Sequence, residues 1–136
     1  MVDYLKKKIN MDFDKAVEHV TKIIAEEGFS VMLVKSIDEI FKIKLGTVDY
    51  PRYTTILACA PEYAKGALDV SKLAGFLFPC SFIVYEENED IFVGHVSIMK
   101  IAPEVGLADS KAMEPVIKKT GEGVHRAWDR IGKDIL

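Results

Sequence analysis

The chain lacks most of the features that disclose a function readily. It has two cysteines among 136 residues and no Cys-x-x-Cys spacing, so neither a zinc-ribbon arrangement nor a thioredoxin-type motif is present. No Gly-rich phosphate loop, Ser-His-Asp arrangement or His-x-x-x-His pair occurs. No apolar run approaches the roughly 20 residues needed to cross a bilayer, and the first residues lack the apolar segment of a signal peptide. The expectation is a cytoplasmic protein with no membrane partner, whose thiols are kept reduced. A surplus of basic charge is missing too. Lys and Arg number 18 against 21 Asp and Glu, a net charge of −3, which argues against nucleic-acid partners, since such binding rests on neutralising phosphates.

What is present is the composition of an ordinary globular protein, 49% hydrophobic and 29% charged, long enough for one continuous core. One domain over residues 1–136 is expected. Tyr4 to Ile9 reads as a first strand, its Lys6-Lys7-Lys8 run a solvated edge. From Asp12, the apolar residues Phe13, Ala16, Val17, Val20, Ile23 and Ile24 recur at helical steps, and Gly28 ends that helix. Phe29 to Lys35 reads as a strand. Ser36 and Glu39 have the spacing of a capping box that opens a short helix ending near Gly46.

After a loop at 47–52, Tyr53 to Ala60 reads as a strand. Apolar residues on both of its faces predict an interior strand covered on each side. Pro61 suits the first turn of a helix, and residues 72–78 return the chain to the sheet. Cys80 to Glu86 and Ile91 to Ile98 then form a hairpin. After a loop beyond Pro103, a helix over about 110–135 presents Val116, Ile117, Val124, Ala127, Trp128, Ile131 and Ile135 near one stripe, with Gly121 and Gly123 weakening it or admitting a close neighbour. The order β-α-β-α-β-α-β-β-α predicts an α/β fold, α+β-like in its hairpin, with a single mixed sheet of about five strands packed against helices. Crossovers would supply parallel pairings and the hairpin an antiparallel one.

The candidate chemistry centres on the two cysteines. Cys59 closes a strand just before the helix at Pro61, and Cys80 follows Pro79 at the start of another. If those strands adjoin, the thiols come within reach of each other, and the helix N-terminus favours a thiolate at Cys59. The same residues also read as small core hydrophobes, as free cysteines usually are. A four-residue connection pairs Phe82 with His95 and Cys80 with Ser97, which sets Cys80, His95 and Ser97 on one face. A thiol beside an imidazole can build a nucleophilic or metal site. His19 falls off the oily stripe of its helix and reads as solvated. The acidic run Glu86-Glu87, Glu89-Asp90 lacks the glycine and spacing of a calcium loop, so it reads as a hairpin tip.

Glu27-Gly28-Phe29, the turn Cys59-Ala60-Pro61-Glu62-Tyr63-Ala64, and Leu77-Phe78-Pro79-Cys80 running into Ile83-Val84-Tyr85-Glu86 together resemble domain of unknown function 302, a family of small bacterial and archaeal proteins. The likeness covers roughly residues 4–100. It implies a compact α/β domain with a mixed sheet, self-associating as a homodimer, and it implies no reaction and no cofactor. Where the family has Cys-Asn-Pro this chain has Cys59-Ala60-Pro61, so an amide side chain able to orient a ligand or cap the helix is missing. The resulting expectation is a homodimeric small-ligand-binding or interaction protein with a small pocket near Cys59, Pro79 and Cys80. One alternative is a thiol-dependent redox or sulfur-handling protein in which Cys80 reacts and Cys59 resolves. A second is a soft-metal protein that uses Cys59, Cys80 and His95 and would suit zinc or cuprous copper.

Overall fold

A computed structural model of the chain describes residues 4–133. The first strand, β1 (Tyr4–Ile9), leads into α1 (Phe13–Glu26), whose periodic residues Phe13, Ala16, Val20, Ile23 and Ile24 are all buried. Gly28 takes φ +97° beyond its end, and the Phe29 amide returns to the Ile24 carbonyl at 2.9 Å. Then come β2 (Ser30–Ser36), α2 (Ile37–Leu45) and β3 (Tyr53–Cys59). The expected capping box does not form. The Ser36 hydroxyl instead donates to Asp38 Oδ1 at 2.9 Å, and the same oxygen accepts the Tyr53 amide at 2.8 Å, so the buried Asp38 ties the start of α2 to β3.

The chain continues through α3 (Pro61–Val70) and a 3-10 segment, Lys72–Leu77, to the hairpin of β4 (Cys80–Glu87) and β5 (Asp90–Val96). The two-residue turn places Asn88 and Glu89 at φ 51° and 70°, the twist such hairpins need. Strand structure stops at Val96, short of the expected Ile98, because the Ser97 hydroxyl accepts the Lys100 amide and opens a further helix, α4 (Ile98–Glu104). The last helix, α5 (Ser110–Arg130), is capped by Asp109, which accepts the Ala112 amide at 2.9 Å. Ile135, expected on its stripe, lies outside the described residues. Among the described residues no helix is long and apolar enough to cross a membrane.

The five strands form one sheet in the order β1-β5-β4-β3-β2, and every neighbouring pair is antiparallel. The α/β fold with about five strands is as expected; the parallel pairings are not. The reason between β2 and β3 is a local tie. Asp38, in the first turn of α2, accepts the Tyr53 amide, so residues 37–52 loop back and β3 enters from the end at which β2 left. The connection through α3 also returns to the end it started from. α1 does cross a face, but it delivers β2 to the edge opposite β1, where the two strands share a direction without pairing.

The main core is one-sided. Ile56, Ala58, Phe82, Val84, Ile91 and Val93 on the sheet pack with Ala16, Val20 and Ile24 of α1 and Val124 and Ala127 of α5. A second cluster at one end joins Ala67, Ala74, Cys80, Ile98, Met99, Ala102 and Met113. The lysine run does not make a uniform solvated edge. Lys7 faces the core side, where its Nζ donates to the Trp128 carbonyl and sits 4.7 Å from the Trp128 ring centroid. Burial lowers its pKa. Lys8 pairs with Asp90 at 3.1 Å. At the far end of α1, Arg130 holds Glu26 at 2.6 Å and Glu27 at 3.1 Å. His19 is not left to solvent, since its Nε2 accepts the Gly132 amide at 2.8 Å.

The two α5 glycines differ in kind. A Cβ at Gly123 would lie 2.4 Å from the Tyr63 Oη, whereas one at Gly121 would meet nothing within 4 Å. Gly123 therefore makes room for Tyr63 of α3, while Gly121 only loosens the helix. Urea unfolding of the two alanine variants is expected to move in opposite directions. Gly121→Ala should gain about 0.5–1 kcal/mol, and Gly123→Ala should lose about 1–3 kcal/mol to overpacking.

Candidate functional site

The cysteines occupy the end of β3 and the start of β4, which do adjoin, but the register sets Ala58 rather than Cys59 opposite Cys80. Because successive strand residues alternate faces, Cys80 turns into the core and Cys59 toward the other face. Both thiols are free, and the fold does not bring them together as a pair. Cys80 is 7% exposed, and burial first, with the influence of Cys59 second, pushes its pKa up to about 11. That shift is opposite to the one a reactive thiol needs.

At this end of the sheet lies a cavity of about 10 Å³ lined by Cys59, Pro79, Cys80, Tyr63, Met99 and Thr120 among others. That is room for about one water molecule. The Thr120 hydroxyl, on a residue 3% exposed, has no hydrogen-bond partner among the described residues. Pro79 follows Phe78 through a cis peptide bond. Ala60 is the N-cap of α3 and supplies no side-chain hydrogen bond, as the missing amide in the sequence implies.

His95 pairs with Phe82 in the register read from the sequence. Its ring stacks on Phe82 with centroids 4.2 Å apart, and its Nδ1 lies 2.8 Å from the Ser81 carbonyl. Burial, the largest influence, lowers its pKa, so the imidazole is neutral at pH 7 and Nδ1 donates. The expected third member, Ser97, lies past the strand and caps α4. Among the described residues no three or more His, Cys, Asp or Glu gather as metal ligands.

The more open surface lies on the other side of the sheet. The alternation of β3, β4 and β5 buries one set of residues and leaves Thr55, Leu57, Ile83, Tyr85, Phe92 and Val96 half-exposed. Register adds Leu33, opposite Leu57, at 48% exposure and Tyr4, opposite Val96, at 71%. Rings run across this face as a ladder. Tyr53 stacks on Tyr85 at 5.9 Å and Tyr85 on Phe92 at 5.5 Å, and the Lys6 Nζ sits 4.6 Å from the Phe92 centroid. A groove of about 310 Å³ crosses it, lined by Tyr4, Lys6, Ser81, Ile83, Tyr85, Gly94 and Val96.

Sequence reasoning missed this surface although its signal was available. Apolar residues on both faces of the strand 53–60 predict cover on both sides, whereas the described helices cover one.

This architecture is that of an α/β domain with one antiparallel sheet and helices against it. The model of the family "Domain of unknown function DUF302" matches residues 5–131, and the chain belongs to that family. It is similar to the crystal structure of an uncharacterized conserved DUF302 protein from Bacillus stearothermophilus, with a TM-score of 0.83, 20% sequence identity, and cover of 94% of this chain and 97% of that one. At that identity the likeness concerns the fold. Among curated proteins none matches the chain.

The thiol geometry sets up a direct measurement. At pH 8 a thiol of pKa near 11 is thiolate in about one molecule in a thousand, and Cys80 is also shielded. Iodoacetamide on the native protein should label Cys59 and leave Cys80 intact, with both labelled in denaturant. Rapid native labelling of Cys80 would contradict the geometry.

Proposed function

We propose that the chain is a single-domain, cytoplasmic binding module that works as a homodimer, with the second copy seated on the uncovered face of the sheet. The observation that carries this reading is the one-sided helix layer over a sheet whose strands are apolar on both faces. Five strands about 4.8 Å apart, with seven residues rising about 3.3 Å each, make a face of roughly 24 by 23 Å before side-chain relief is counted. A stable interface takes about 800 Å² from each partner. Contiguous exposed apolar area of this kind marks an interaction site. A sheet face meeting its own copy is also a standard two-layer solution.

The thiol and metal alternatives draw no comparable support. Cys80 is buried with a raised pKa, Cys59 points to the other face, and the His95 Nδ1 is engaged with the Ser81 carbonyl. The cavity lined by both cysteines is too small for a ligand larger than water, so small-molecule binding belongs to the outer groove. Sedimentation velocity at micromolar concentration should give a dimer. Ile83→Asp, which sets a carboxylate in the middle of the outer face and leaves the helix-covered core untouched, should give a folded monomer. A wild-type chain that is monomeric throughout would sink the reading.

A further inference from the structure

We propose that the groove over Gly94 is a binding site for a small apolar monocarboxylate, with its hydrocarbon part against Ile83, Val96 and Tyr4 and its carboxylate on the Lys6 ammonium. The inference rests on the dimer reading, in which a second copy closes this face and turns the groove into a chamber. Three observations carry it.

The first is shape. The trough exists because Gly94, between Lys6 on β1 and Ile83 on β4, brings no side chain. A Cβ there would come to 3.2 Å from the Ile83 Cγ1. At about 310 Å³ the groove is at the lower end of the range for small-molecule clefts, and its mainly apolar lining with a few polar groups is what such clefts have.

The second is the setting of Lys6. Its ammonium sits 4.6 Å from the Phe92 centroid and 5.5 Å from that of Tyr85. The side chain of Tyr85, the largest influence, raises its pKa, and Glu87 adds to it through space. Lys6 is therefore a fixed positive charge held over two rings, and among the described residues it takes part in no ion pair, unlike Lys8 beside it, which holds Asp90.

The third is the sign of charge over the whole face. By register the outer positions of the described strands carry Lys6, Lys8 and Lys35, while the carboxylates Glu87 and Asp90 stand at the hairpin end, Asp90 held by Lys8 and Glu87 near enough to raise the Lys6 pKa. A second copy of the same face brings the same residues. Covering Lys6 with a second copy takes its ammonium out of water, a cost that an anion bound in the groove offsets. An apolar floor selects an anion with a hydrocarbon body over a hydrated one such as phosphate.

The test uses the full chain with octanoate as probe and octanol as its neutral counterpart, titrated by calorimetry and by amide chemical shifts, with sedimentation run on the same samples. Octanoate is expected to saturate one site per chain and to shift Ile83, Gly94 and Val96. Octanol should bind at least about tenfold more weakly, the scale of one charge-assisted contact. Lys6→Met should lose about the same factor for octanoate and none for octanol, whereas Lys35→Met, on the same face outside the groove, should change neither. Equal affinity for the two probes, or an unchanged octanoate affinity in Lys6→Met, overturns the proposal. A dimer that ignores octanoate means that partner side chains fill the groove; it overturns the site and leaves the pairing standing. A monomer that binds octanoate through Lys6 upholds the site and overturns the pairing.

Discussion

The constraint on which the rest depends is that the sheet has two apolar faces while the chain supplies helices for one. α1 and α5 both pack on the side of Phe82, Val84 and Val93, and the charge pairs of Arg130 with Glu26 and Glu27 fix their ends to each other. Nothing among the described elements takes the other side. Each Å² of apolar surface withdrawn from water stabilises by about 25 cal/mol, so a face holding Leu33, Leu57, Ile83, Tyr85, Phe92 and Val96 is a standing drive toward association. The aromatic ladder with Lys6 above it gives that face order without giving it cover.

The elements were largely legible from spacing. The buried stripe of α1 coincides with the residues at three- and four-residue steps, and a short acidic connection was enough to pair Phe82 with His95. Strand polarity was not legible, because alternation of strands and helices does not reveal that Asp38 brings the start of β3 back to the start of α2. Nor was the local competition for hydroxyls. Ser36 reads as a cap yet donates to Asp38, and Ser97 reads as a strand residue yet opens α4. Each outcome depends on a partner set by the tertiary fold, for Asp38 the Tyr53 amide fifteen positions on.

The candidate site was legible in its residues and not in its geometry. Cys59, Pro79 and Cys80 line one small cavity and His95 stacks on Phe82 apart from it, while a one-residue offset in register sends the two thiols to opposite faces. The conspicuous cysteines thus mark a turn in which β3 passes into α3 beside the start of β4, while the open surface is carried by ordinary residues. Tyr4, Lys6, Ile83 and Gly94 have no sequence signature as a group. They become a groove only because antiparallel pairing sets β1 beside β5 and β5 beside β4.

The central claim, that the outer face is a contact between two copies, is tested most directly by methyl NMR with a soluble paramagnetic agent. The methyl groups of Leu57, Ile83 and Val96 should resist broadening at concentrations where the chain is paired and lose that protection on dilution, while the exposed Val105 methyls broaden throughout. Broadening of Ile83 and Val96 to the same degree as Val105 at every concentration would contradict the account.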